Sequence, residues 1–341
     1  MSRTLKPSVA ILLLISVLFT AWPAFACGPF STDAIFTFTV HPEPPLEKFA
    51  RGQAGLLQPT YARSYLVVAY RELAGKGLDQ QEQKAAAEFW KSRLEYSWSP
   101  EYEDEIKAWQ DARKKVLPEG QPPKIDAYRQ RAKPNEYDRY LNCHKDAFQT
   151  AVATLNERSK TYGAASNELK AWVRAQDQVF ANCSEGRQIP DAAPAGAGEL
   201  ARADRAYQIA AANFYSENFD EARKGFESVA GDARSPWRSS AHYLVARTLI
   251  RKASLGPAES HKESLTQAEG QLRKVIGDAS LSAMHAAATR LLNLVRLRLH
   301  PEERVRELAQ SLLQNSGEHF KQDLWDYTDL LDRFLGESDS Q

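Results

Sequence analysis

From Leu46 onward the apolar residues recur every three or four positions, and that period commits nearly the whole chain to α-helix. A stripe of this width buries one face of a helix and leaves the other to water. The expected product is an all-α fold of antiparallel helical hairpins. Tyr61, Tyr65, Val68, Ala69 and Leu73 form one such stripe. Asp79 and Glu82 read as a capping box opening a helix with Ala86, Phe89, Trp90 and Leu94 inside. Ser99-Pro100 reads as the N-cap and first residue of the next helix, which buries Tyr102, Ile106, Trp109 and Val116. Its acids, Glu101, Glu103, Asp104 and Glu105, could be drawn as a metal or catalytic cluster. With Arg113, Lys114 and Lys115 at the other end, they are better explained as complements to the helix dipole.

Beyond Pro118 and the Pro122-Pro123 pair, the spacing predicts one long helix from about Asn135 to Lys160, through Tyr137, Tyr140, Leu141, Phe148, Val152 and Leu155. A turn at Tyr162-Gly163-Ala164-Ala165 then leads into a partner helix carrying Leu169, Trp172, Val173, Val179 and Phe180. Cys143 lies twenty residues before Gly163 and Cys183 twenty after, so an antiparallel hairpin sets both ~30 Å from the turn at ~1.5 Å per residue. A Cys143–Cys183 disulfide is expected if both face the seam, the alternative being two buried free thiols.

The ends carry a different signal. Arg3 and Lys6 precede an uncharged apolar run from Val9 to Trp22, which breaks at Pro23 before Ala24-Phe25-Ala26. A charged start, an apolar core shorter than ~20 residues and a small-residue site read as a cleavable secretory signal over 1–26 rather than a retained membrane span. The mature chain then starts at Cys27, the odd cysteine of three. Ala26-Cys27 also fits a lipoprotein cut, although Ala24 and Phe25 suit ordinary signal peptidase better, so Cys27 is the lipidation candidate. Residues 27–45 hold one strand-like alternation, Ile35 to Val40, and a Pro-rich tail. They are expected to form an extended arm. Without Arg3 and Lys6, 42 of the 44 cations remain against 44 acids, a net charge of −2 that argues against nucleic acid or an anionic membrane surface as ligand. Membrane attachment is expected only through an anchor at Cys27.

Residues 184–199 have Pro190, Pro194, Gly196 and Gly198 among alanines and no apolar period, so they read as a linker between an N-terminal helical region, 46–183, and a C-terminal one, 200–336. In the latter the helices come in pairs. Phe219-Asp220-Glu221-Ala222, followed by Phe226 and Val229, with Tyr207, Ile209, Ala210 and Phe214 ahead of it, resembles a tetratricopeptide repeat. Tyr243, Val245, Ala246 and Leu249 with Leu265, Ala268, Leu272 and Val275 make a second pair, separated by a connection longer than the repeat allows. A third pair, Met284–Leu299 and Glu302–Leu313, keeps the spacing but little of the signature. Leu324, Trp325, Tyr327, Leu331 and Phe334 mark a closing helix.

The resemblance implies an α-solenoid whose first helices line a groove for a protein or peptide partner. In that register the groove residues are Asn213, Glu217, Tyr243 and Arg247. The opening Ala-Cys-Gly-Pro-Phe also resembles the mature start of exported bacterial proteins, a likeness that carries no activity with it. No HExxH, nucleophile elbow or Gly-rich phosphate loop is present, and seven scattered histidines show no metal-ligand spacing. The sequence thus predicts no cofactor, no metal and no enzymatic activity. A binding scaffold of the bacterial cell envelope is the expectation. The rivals are a hydrolase with Cys27 as N-terminal nucleophile, a plan that needs a stack of sheets where this sequence offers one strand-like run, and a structural envelope component.

Overall fold

A computed structural model of the chain describes residues 46–53, 59–94, 103–119, 122–133, 136–314 and 317–338. The signal segment, Cys27, the arm over 27–45 and Ser99-Pro100 lie outside them. Among the described residues the fold is all-α, 75% helical, with thirteen α-helices and one small hairpin of strands. The chain divides into two compact units, Met1–Trp90 and Lys91–Gln341.

In the first unit, α1 (Leu46–Ala50), α2 (Pro59–Leu73) and the start of α3 (Gln80–Leu94) gather around Phe49, whose ring meets Tyr65 and Trp90 edge-on at 6.0 and 6.4 Å. The Asp79–Glu82 capping box forms: the Glu82 N–H donates to Asp79 Oδ1 at 2.8 Å and the Asp79 N–H to Glu82 Oε2 at 3.2 Å. Glu82 also holds Arg71 in a buried ion pair at 2.9 Å. The stripe on α2 differs from the expected one. Ser64, Tyr65, Val67, Val68 and Arg71 are buried, while Leu73, in the last turn before the Gly75 bend, is 90% exposed.

The second unit opens with α4 (Glu103–Val116), whose Trp109 is fully buried, and whose Arg113 is ion-paired with Asp177 at 2.7 Å besides serving the helix end. The long helix expected from Asn135 does not form. Instead β1 (Tyr128–Lys133) and β2 (Glu136–Leu141) pair antiparallel with Lys133 opposite Glu136, leaving only Pro134-Asn135 between them, and α5 (Lys145–Tyr162) starts ten residues later than predicted. Pro134 holds Lys133 before it in extended backbone, which favours β1, and the ladder from Tyr128–Leu141 to Lys133–Glu136 then satisfies the backbone of 136–141 in place of a helix.

The α5 helix ends at Gly163, whose φ of 88° lies in the region open mainly to glycine. Ser166 then caps α6 (Asn167–Ala181) by accepting the Leu169 N–H at 3.1 Å. Cys143 and Cys183 form the expected disulfide, Cα atoms 5.3 Å apart. Each sits just outside its helix rather than within it, Cys143 two residues before α5 and Cys183 two after α6. Both are fully buried beside Phe148, Leu155, Trp172 and Phe180.

Residues 184–198 form no helix, yet they belong to the second unit and are tied down. Asn182 exchanges hydrogen bonds with Gln188 at 2.7 Å, and Arg205 reaches the Asp191 carbonyl at 2.7 Å. From there α7 (Glu199–Tyr215), α8 (Phe219–Gly231), α9 (Arg238–Leu255), α10 (His261–Gly277), α11 (Ser282–Leu299), α12 (Pro301–Leu312) and α13 (Phe320–Ser338) each pack on the next. The α7–α8 pair is close enough that a Cβ on Gly225 would meet Ala210 Cβ at 2.9 Å. A helical glycine, intrinsically ~1 kcal/mol worse than alanine, is the residue that permits this approach. No described helix is long and apolar enough to cross a membrane.

Candidate binding cleft

A cavity of about 250 Å³ opens in the second unit between α5, α6, α7 and α9, with Met284 of α11 at its edge. Its apolar wall comes from Ala147 and Ala151, Val179 and Phe180, Ala211, and Leu244. Tyr207, Tyr215, Tyr243, Trp172 and Trp237 supply aromatic surface, and Asp146 and Arg247 are its charged lining. Helical spacing explains the composition. Positions 207, 211 and 215 on α7, and 240, 244 and 247 on α9, recur every three or four residues and so share one face of each helix.

Beneath the cleft a buried network fixes these helices. Asp204 of α7 accepts two bonds from Arg158 of α5, at 2.6 and 2.9 Å, and one from Trp237 Nε1 at 2.8 Å. Trp237 in turn stacks on Tyr207, ring centroids 4.0 Å apart and planes at 12°. The bidentate pair is almost wholly buried, so removing either partner would strand a charge, which is why such pairs hold register.

Arg247 stands at the rim with its side chain 23% exposed and its Nη1 3.2 Å from Asp146, itself 60% exposed. Its guanidinium lies 5.9 Å from the Phe214 ring centroid and 6.0 Å from that of Tyr243. One helical turn on, Arg251 stacks over Phe214 at 4.6 Å and Tyr140 at 5.7 Å and donates to the Asn142 carbonyl at 3.0 Å. Its Nη1 is buried with no acceptor among the described residues. Burial pushes the Tyr207, Tyr215 and Tyr243 hydroxyls above the usual phenol range, with Arg247 pulling each back. All three therefore remain protonated donors at neutral pH. None has a hydrogen-bond partner among the described residues. At the neighbouring N-cap of α5, burial and then Arg247 lower the His144 pKa, so this imidazole is neutral near pH 7.

The strand hairpin that the sequence did not foretell closes one end of the region. Arg129 of β1 donates to the carbonyls of Ser184 at 2.7 Å, Asn182 at 3.2 Å and Tyr215 at 3.3 Å. Asn142 Nδ2 bonds the carbonyls of Asn182, Cys183 and Tyr215 at 2.9 to 3.0 Å. These oxygens gather at the C-terminal ends of α6 and α7, the negative end of the helix dipole, so a cation is well placed among them.

The four residues assigned to a groove separate in this arrangement. Tyr243 and Arg247 line the cleft. Glu217 instead joins the hairpin, accepting the Tyr140 hydroxyl at 2.5 Å and pairing with Arg129 at 3.2 Å. Asn213 bonds its own helix at Ile209 O, 3.0 Å, and Asn218 at 3.2 Å. Glu217 occupies the position after the α7 C-cap with φ of 66°, where glycine is the usual residue. Sequence reasoning missed Asp146, Tyr207, Tyr215 and Trp237. Only Tyr207 entered that reading, as an apolar position of the first repeat helix, and nothing in the pattern distinguished core from cleft.

Among the described residues no group of three or more His, Cys, Asp or Glu is placed to hold a metal ion. Compared with known proteins, the chain matches no family model, no curated protein and no solved structure.

Proposed function

We propose that this is an exported helical-repeat protein of the bacterial cell envelope, and that it acts as a scaffold binding an extended segment of a protein or peptide partner. The cleft carries the reading. A concavity of about 250 Å³ lies just below the ~300–1,000 Å³ typical of sites for whole small ligands. That size suits one or two anchoring side chains of a longer chain. Aromatic walls are the usual source of binding energy in such anchors, because they bring large rigid area at low entropy cost. Export is supported by the charged, apolar and small-residue tripartite start of the sequence and by a buried disulfide of the kind that persists in oxidising compartments.

Titrating the protein with an N-acetylated, C-amidated peptide library containing bulky apolar residues, and following tryptophan fluorescence from Trp172 and Trp237, tests the cleft. Saturable binding that Leu244→Asp abolishes is expected. Binding unchanged in that variant would remove the cleft from the reading. Intact mass measurement of the secreted protein, with and without reduction, tests the rest: it reads cleavage before Cys27, any acyl group there and the disulfide together.

A further inference from the structure

The cleft holds donors for an anion that the fold does not fully supply. Arg247 of α9 lines the cleft, and among the described residues Asp146 is the one carboxylate paired with it. Glu217, the other acid nearby, is engaged by Tyr140 and Arg129. Three tyrosine hydroxyls around the same cavity, those of Tyr207, Tyr215 and Tyr243, have no partner among the described residues. A guanidinium beside unpaired O–H donors, over an apolar floor, is a carboxylate site next to a side-chain pocket.

From this geometry we infer that the cleft selects peptides carrying an internal acidic side chain beside a bulky apolar one, and that Asp146 is a built-in competitor occupying the acid's place on Arg247. This deepens the peptide-binding reading and rests on it. Asp146 shows the pose: it is itself an aspartate side chain, on an α-helix, presenting one oxygen to Arg247 Nη1 at 3.2 Å. Being 60% exposed, it can swing into water at small cost, since exposed ion pairs of this kind contribute little. An incoming acid would keep the Arg247 contact and add bonds from the tyrosine hydroxyls, which Asp146 does not engage. The apolar neighbour would fill the space against Val179, Phe180 and Leu244.

The decisive probe is the same library of N-acetylated, C-amidated hexapeptides, free of terminal charge, scanned with Asp or Glu against Asn or Gln at each position. Acidic members should bind about tenfold or more tightly than their amide isosteres. In Asp146→Asn, where the competitor is gone and the exposed site keeps its shape, acidic peptides should gain several-fold while neutral ones stay unchanged. In Arg247→Gln the preference for acids should vanish with neutral apolar peptides still bound. Equal affinity for acids and isosteres in the native protein overturns the inference and leaves the peptide reading standing. Preference restored only by a free C-terminal carboxylate overturns it too, in favour of terminal recognition. Failure of every peptide, acidic or neutral, ends both.

Discussion

Glu217 offers the sharpest test of how the hairpin is held, because its backbone and its side chain pull in opposite directions. With φ of 66° after the α7 C-cap it adopts a left-handed conformation that an L side chain resists by roughly 1–2 kcal/mol and glycine accepts freely. Against this, its carboxylate accepts the Tyr140 hydroxyl at 2.5 Å and faces Arg129 at 3.2 Å, with the glutamate side chain only 24% exposed. A charge-assisted hydrogen bond contributes about 1.5–3 kcal/mol.

Glu217→Ala keeps the strain and loses the bond, so it should destabilise the second unit by about 2–3 kcal/mol. Glu217→Gly loses the same bond but relieves the strain, so it should lie about 1 kcal/mol above the alanine variant and still below the native protein. Urea unfolding of the oxidised protein, at equal slopes, reads both differences. Tyr140→Phe, combined with Glu217→Ala, should couple by more than ~1 kcal/mol, since the two changes remove one shared interaction. If glycine proves no better than alanine, the backbone argument is wrong. If alanine is as stable as the native protein, the hairpin is not latched by this carboxylate.

Three further outcomes follow from particular contacts. The Cys143–Cys183 bridge closes a loop of 40 residues, so the entropy model assigns it about 4 kcal/mol; reduction should lower Tm by roughly 10 °C in calorimetry, and a shift under 3 °C would count against it. Gly225→Ala should destabilise by about 1–2 kcal/mol despite alanine's better helix propensity, because its Cβ meets Ala210 at 2.9 Å; Gly270→Ala on α10, with open space around it, should stabilise by up to ~1 kcal/mol, and the same sign for both in parallel melts would refute the close approach. Burial and Arg247 lower the His144 pKa in the folded state, so the unfolded chain takes up its proton first; stability from this group is full above ~6.5 and is lost as pH falls below it, and His144→Gln should flatten the pH dependence of unfolding between pH 7 and 5 relative to the native protein. An unchanged slope would show that another group, such as the similarly depressed His242, governs that range.

Local signals were legible where a short stretch of residues sufficed to satisfy itself. The Asp79–Glu82 box, the Gly163 turn and the helical period of α6 to α13 each depend on neighbours within a few positions, and each formed. The disulfide was also legible, since twenty residues either side of one glycine is a statement about chain length. The hairpin was not: Tyr137, Tyr140 and Leu141 are spaced as on one face of a helix, and the pairing of 128–133 with 136–141 overrode that period.

Sequence alone therefore determined the all-α class and the helix pairing and set Cys143 and Cys183 at one height, while the structure decided that they bond. Tertiary structure decided which faces of α5, α7 and α9 enclose a cavity instead of a filled core, and that Glu217 serves the hairpin while Arg247 serves the cleft. The reason is range. Helix formation and capping are settled by hydrogen bonds between residues three or four apart, whereas Arg247 meets Asp146 across 101 residues and Tyr140 meets Glu217 across 77. No pattern of period 3.6 encodes such pairs, because they exist only once the helices have packed.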